Sequence, residues 1–118
     1  MTDEQIRDYL RDKGYAEHLW HEGRAGLVAR WRIFVEEVEK GYPLGLYDYR
    51  NDLDLRSVLS EVGLDNDVKD LDERFQELLT ARKKRVWESA NSDAFWVFGY
   101  PKNASGELLE DLKSEGLV

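Results

Sequence analysis

Helical periodicity restricts what this chain can fold into more than any other feature of its sequence. Val68, Leu71, Phe75, Leu78 and Leu79 recur at three- and four-residue intervals, which puts them on one side of an α-helix. Trp20, Leu27, Trp31, Phe34, Val35 and Val38 repeat the pattern upstream, and Leu55, Val58, Leu59 and Val62 repeat it between the two. Stripes of this kind are buried by packing helix on helix. Area scaling gives a folded surface of roughly 6,600 Å² against about 20,000 Å² unfolded, so a sizeable core can form. The expected architecture is a single globular domain over residues 1–118. It is mainly α, a compact bundle of four or five helices with one aromatic extended segment.

Local signals set the boundaries. Thr2 and Gln5 have capping-box spacing, and Asp3 and Glu4 suit the first turn of a helix carrying Ile6, Tyr9 and Leu10, with Gly14 as its stop. Gly23 and Gly26 predict a break or kink within residues 21–26 of the second helical region, which Gly41 and Pro43 then end. Glu36, Glu37 and Glu39 oppose the dipole near that end, so tertiary packing must hold the turn. A turn at 41–45 leads into a helix to about residue 62. Asp65, Asn66 and Asp67 predict a cap-rich turn, and Arg82, Lys83, Lys84 and Arg85 are expected in the last turns of the helix that follows. Ser105 is expected to cap a short final helix carrying Leu108, Leu109 and Leu112. Trp96, Phe98 and Tyr100 alternate as on a strand, and so do Leu44 and Leu46 against Tyr47 and Tyr49. This leaves an α+β alternative, with a two-stranded element pairing 44–50 and 94–100.

Composition removes several chemistries. With no cysteine, the chain has no disulfide, thiolate nucleophile or cysteine-held metal, which fits a reducing cytoplasm. The opening MTDEQIRDYL has no apolar run, so no signal peptide is expected, and no stretch is long and apolar enough to span a membrane. The net charge of −8 argues against nucleic acid and anionic membrane as partners and allows a basic protein. Between Leu46 and Glu77 stand ten acids and four bases, so −6 of that charge is regional.

Candidate sites follow from these features, each beside a plainer reading. His18 and His21, three apart, could share a helix face and bind one metal with nearby glutamates. Without a third histidine or an HExxH arrangement they read more simply as surface histidines, and no metal or other cofactor is expected. Within the acidic region, Asp48, Asp52, Asp54, Asp65, Asp67 and Asp70 could form an electronegative partner-binding patch, or only solvated helix faces and caps. A calcium loop starting at Asp65 fails, because Lys69, Asp70 and Gln76 occupy positions that need an oxygen ligand, a glycine and a glutamate. Asp48, Asp52 and Asp54 could be catalytic carboxylates, but Arg50 and Arg56 make an ion-pair network the simpler account. In it Arg56 pairs with Asp52 one turn back, and a buried arginine–aspartate pair could fix helix orientation. Trp96 and Tyr100 could be interface anchors or core.

The blocks GYPLGLYDYRNDLDLRSVL, LDERFQELL and FWVFGYP resemble those of small uncharacterised bacterial proteins, over roughly residues 27–101. In these proteins a tryptophan-bearing helix precedes a Tyr-x-x-Asn-Asp-Leu-Asp-x-Arg-like block. The resemblance implies no activity and marks Tyr49, Asn51, Asp52, Leu53, Asp54 and Arg56 as the most distinctive block. The expectation is therefore a non-enzymatic module that binds a basic protein, in its sharper form an inhibitor or immunity-type protein. A metal protein or enzyme built on His18 and His21, and a homo-oligomer joined through the aromatic segment, are the alternatives.

Overall fold

Helix α1 (Asp3–Asp12) starts with the predicted capping box. Gln5 N donates to the Thr2 hydroxyl at 3.1 Å, and Thr2 N donates to the Gln5 side chain at 2.8 Å. Ile6 and Leu10 are fully buried, and Lys13 Nζ lies 5.5 Å from the Tyr9 ring centroid. The computed structural model describes residues 1–80, 84–87 and 94–118. Among these follow α2 (Glu17–Trp20), α3 (Gly23–Lys40), α4 (Leu46–Glu61), α5 (Lys69–Leu78) and α6 (Gly106–Ser114), with 3-10 turns at Asn66–Val68 and Phe95–Val97. The result is a mainly α globule with no strand among the described residues. Its radius of gyration is 14.5 Å, near the roughly 13.5 Å expected for a compact chain of this length.

Helix α3 is the spine. It buries Leu27, Trp31, Phe34, Val35 and Val38 and packs against α1, α2, α4 and α5. Trp31 stacks on Phe34 at 5.3 Å and meets Phe75 of α5 edge-on at 5.3 Å. Phe34 continues the contact to Tyr42 and Tyr49 at 5.8 and 5.7 Å. Large rings on three neighbouring elements thus share one core, where their buried area counts most.

The alternating 44–50 segment is helix. Leu46, Tyr49 and Leu53 are buried at helical spacing, so burial selects the helical period over the strand period. The 44–50 with 94–100 pairing therefore does not form. Residues after the Phe95–Val97 turn run beside two other pieces of chain instead. Val86 N donates to Val97 O at 2.8 Å and Gly99 N to Lys84 O at 3.1 Å. Thr80 N donates to Tyr100 O at 2.9 Å and Lys102 N to Leu78 O at 2.8 Å. Among the described residues two isolated antiparallel bridges result, Leu79 with Pro101 and Arg85 with Phe98. Gly99 is needed here. Its φ is +74°, and an added Cβ would lie 2.7 Å from Thr80 O.

These contacts also end α5 at Leu78, so Lys84 and Arg85 lie beyond the helix, not in its last turns. Lys84 Nζ donates to Gly116 O, and the Arg85 guanidinium lies 5.0 Å from the Phe98 ring centroid. Arg82 and Lys83 fall outside the described residues. Two further expectations change. None of Asp65, Asn66 and Asp67 caps a helix through its side chain, and Ser105 precedes α6 without a side-chain capping bond.

The ends of α3 and α4 are finished from far along the chain. Asn103 Nδ2 donates to Val38 O at 2.9 Å, serving the α3 end crowded by glutamates, and Arg74 pairs with Glu39 there. Gly45, at the start of α4, has no side chain to offer, and Leu46 N donates to Asp111 Oδ2 of α6 at 3.0 Å.

Candidate functional site

Helix α2 is only four residues long and could not stand alone. Its carbonyls are held by arginines from two sides. Arg7 Nε of α1 donates to His21 O at 3.0 Å, and Arg30 Nη2 of α3 donates to His18 O at 2.7 Å. The predicted break falls at His21 and Glu22, where Gly23 takes a positive φ. Asp3 Oδ1 then accepts from Arg24 N at 3.1 Å and serves one free amide at the start of α3.

So positioned, α2 forms one wall of a groove over α3, and α4 forms the other. The groove has two adjoining lobes of about 740 and about 380 Å³. The larger is bounded by Glu17, His21, Glu22 and Ala29, and the smaller by Glu37, Asn51, Asp52 and Leu55. His18, Leu19, Arg30 and Ile33 line both, which puts the two lobes side by side. Ile33 lies on the floor, 55% exposed, because the neighbouring positions of α3 turn Phe34 and Val35 into the core. Glu17, Glu22, Glu37 and Asp52 form no ion pair with lysine or arginine among the described residues, and Arg30 is the one such cation in the lining.

The histidines flagged in the sequence both line this groove. His21 Nδ1 lies 3.8 Å from Glu17 Oε1, and both side chains are exposed. Among the described residues no group of three or more histidine and carboxylate side chains is placed to hold a metal ion.

The flagged aspartates separate. Asp52 faces the smaller lobe and accepts from the Tyr42 hydroxyl at 2.6 Å. Burial first, and this bond to a carboxylate second, push the Tyr42 hydroxyl far above the usual tyrosine range. Asp48 is half-buried, and Asp54 and Asp70 are exposed. Asp67 approaches Arg24 at 3.9 Å. Arg50 turns away from all of them, donating to Val86 O at 2.8 Å and to Glu115 at 3.0 Å.

Arg56 does not pair with Asp52. It lies on the buried face of α4, 3% exposed, and reaches α5 instead. Its Nε and Nη2 donate to both carboxylate oxygens of Asp72 at 2.8–3.2 Å, and Nη1 donates to Ser60 at 3.0 Å. Asp65 joins at 2.7 Å and itself accepts from the Ser60 hydroxyl at 2.7 Å. Trp31 Nε1 donates to Asp72 at 3.0 Å, and the Trp96 ring centroid lies 4.5 Å from the guanidinium. Burial opposes the charge of Arg56, and the two carboxylates outweigh it and hold the guanidinium protonated. The Ser60 hydroxyl, against the effect of burial and with Arg56 adding to it, draws the Asp65 carboxyl below its usual range. The buried arginine–aspartate pair thus joins α4 to α5 through Asp72, not through any of Asp48, Asp52 and Asp54. Asp72 was legible as a candidate from LDERF, since it sits between the buried positions Leu71 and Phe75.

Trp96 is buried at 8% exposure beside this cluster, and Tyr100 is half-buried with its backbone N donating to Thr80 Oγ1 at 3.1 Å. The cluster is closed, with each guanidinium nitrogen of Arg56 already donating within the chain. The groove is open, and the acids around its apolar floor have no lysine or arginine partner among the described residues. No helix among the described residues is long and apolar enough to cross a membrane. Comparisons with family models, curated proteins and solved structures returned no match.

Proposed function

We propose that the protein is a non-enzymatic protein-binding module for a basic protein partner, in its sharper form an inhibitor or immunity-type protein. One observation carries this reading. Asp54, Glu61, Asp70, Glu73 and Glu77 are exposed on α4 and α5, and none forms an ion pair among the described residues. With a net charge of −8, carboxylates left without a cation create a field that draws in a basic surface and speeds encounter. Where the chain needs ionic interactions for its own fold, as at Arg56, it pairs its acids closely.

The test is affinity capture from the source cells at low and moderate salt. A basic protein should be retained at low salt and released as the screening length falls to about 10 Å near 0.1 M. Recovery of no basic partner, or binding indifferent to salt, would refute the reading.

A further inference from the structure

Resting on that reading, we infer that the docking contact is the groove over Ile33, not the outer acidic faces of α4 and α5. Its occupant is a basic segment of the partner protein that seats an apolar side chain on Ile33. Three features of the groove converge on that occupant.

The first is the floor. Ile33 is 55% exposed, with Leu19 and Leu55 half-buried to either side of it. Water leaving this floor favours an apolar side chain. The second is charge. Glu17 and Glu22 border one lobe, and Glu37 and Asp52 border the other. Arg30 lines both lobes and donates to the His18 carbonyl without pairing with any of these acids, so the four carboxylates outnumber the one arginine. A cation entering either lobe therefore meets two carboxylates against the single arginine. The third is rigidity. The α2 wall is tied by Arg7 and Arg30, and the Asp52 carboxylate is held by the Tyr42 hydroxyl. Groups already held in place lose little freedom on binding. The outer faces of α4 and α5 attract the same partner over distance, but among them Asp70, Glu73 and Glu77 border neither lobe.

Fluorescence anisotropy can test this with a short amphipathic peptide of leucine and lysine as the probe. A second peptide with serine in place of leucine keeps only the charge. The leucine–lysine peptide should bind at low salt, and the serine–lysine peptide should bind about tenfold more weakly. Ile33→Ser should cost about tenfold for the leucine–lysine peptide and leave the serine–lysine peptide unchanged. Glu37→Gln with Asp52→Asn should weaken both peptides and flatten the salt dependence. Glu73→Gln with Glu77→Gln should change equilibrium affinity less than about twofold. The inference is overturned if the leucine–lysine peptide does not bind. It is also overturned if Ile33→Ser has no effect, or if the Glu73 and Glu77 changes weaken binding as much as the groove changes. Those results would leave the capture of a basic partner from cells to decide the broader reading by itself.

Discussion

Arg56 and Arg30 stand on the two longest helices, and their surroundings differ in nearly every respect. Arg56 is buried and bonded to Asp72, Asp65 and Ser60, with Trp96 against its face. Arg30 is exposed and bonded to one backbone carbonyl, while the acids near it have no lysine or arginine partner among the described residues. The same residue types thus hold helices together in one place and leave charge open in the other. The difference teaches that net charge is a poor guide to function, because the acids must be sorted by what they already hold.

Arg56→Leu should give the largest effect. It leaves Asp72, whose side chain is 13% exposed, without its cation, so stability should fall by about 3–5 kcal/mol in urea denaturation. The combined Arg56→Leu, Asp72→Leu variant should lose less than the two single losses together, because no charge is then left buried alone. Additive losses would show that the pair is not coupled, and the comparison would break.

Tyr49→Phe should act in the opposite direction. The Tyr49 hydroxyl is buried with no hydrogen-bond partner among the described residues, so removing it should raise stability by about 1 kcal/mol. A loss of stability would show that the hydroxyl is satisfied in solution. The same burial raises the Tyr49 hydroxyl far above the usual tyrosine range, and Tyr42 is raised as well. Raised values mean that this contribution is fully present below about pH 10 and is lost as pH climbs above it. Alkaline unfolding should therefore begin later in Tyr49→Phe.

At the acid end the sign reverses. The Asp65 carboxyl is lowered, so its contribution is present above about pH 4 and is lost as pH falls through the lowered value. Asp65→Asn should reduce the stability that depends on pH in that window, a small effect because this side chain is 57% exposed. The smallest change is expected in the groove. Ile33→Ser should shift stability by less than about 0.5 kcal/mol, since the side chain already meets water. A large loss there would mean that Ile33 supports the fold, and the contrast between the two regions would disappear.

Much of the helical frame could be read from the sequence because its signals are local. Thr2 and Gln5 made their box, Gly23 marked the break, and Leu27 to Val38 kept one buried face. The glutamates at the end of α3 correctly required tertiary help, which Asn103 and Arg74 supply. What escaped depended on partners distant in sequence. Arg56 was assigned to Asp52 because that residue is one turn away, and the true partner lies on another helix. The α+β alternative pairs the aromatic segment with 44–50, yet the hydrogen bonds of that segment run to Leu78–Thr80 and Lys84–Val86, a pairing that alternation alone cannot identify. The groove had only half a signal. His18 and His21 drew attention to one wall, and helical spacing leaves Ile33 off the buried stripe, but nothing local places α2 and α4 on either side of it.

The long-range caps have a consequence for how the chain is made. Val38 and Leu46 wait for Asn103 and Asp111, each 65 residues further on. At about 5–20 residues per second, a ribosome takes roughly 3–13 s to cover that distance. During this interval α3 and α4 can form, but the Leu46 amide has only water, and the Val38 carbonyl has only the bond from Gly41 N at 3.1 Å. A nascent chain stalled before Asn103 should therefore be open to proteases at residues 38–46 even though both of its long helices have been made. Synthesis of Asn103 and Asp111 closes that window, so α6 and the turn before it complete the ends of the central helices.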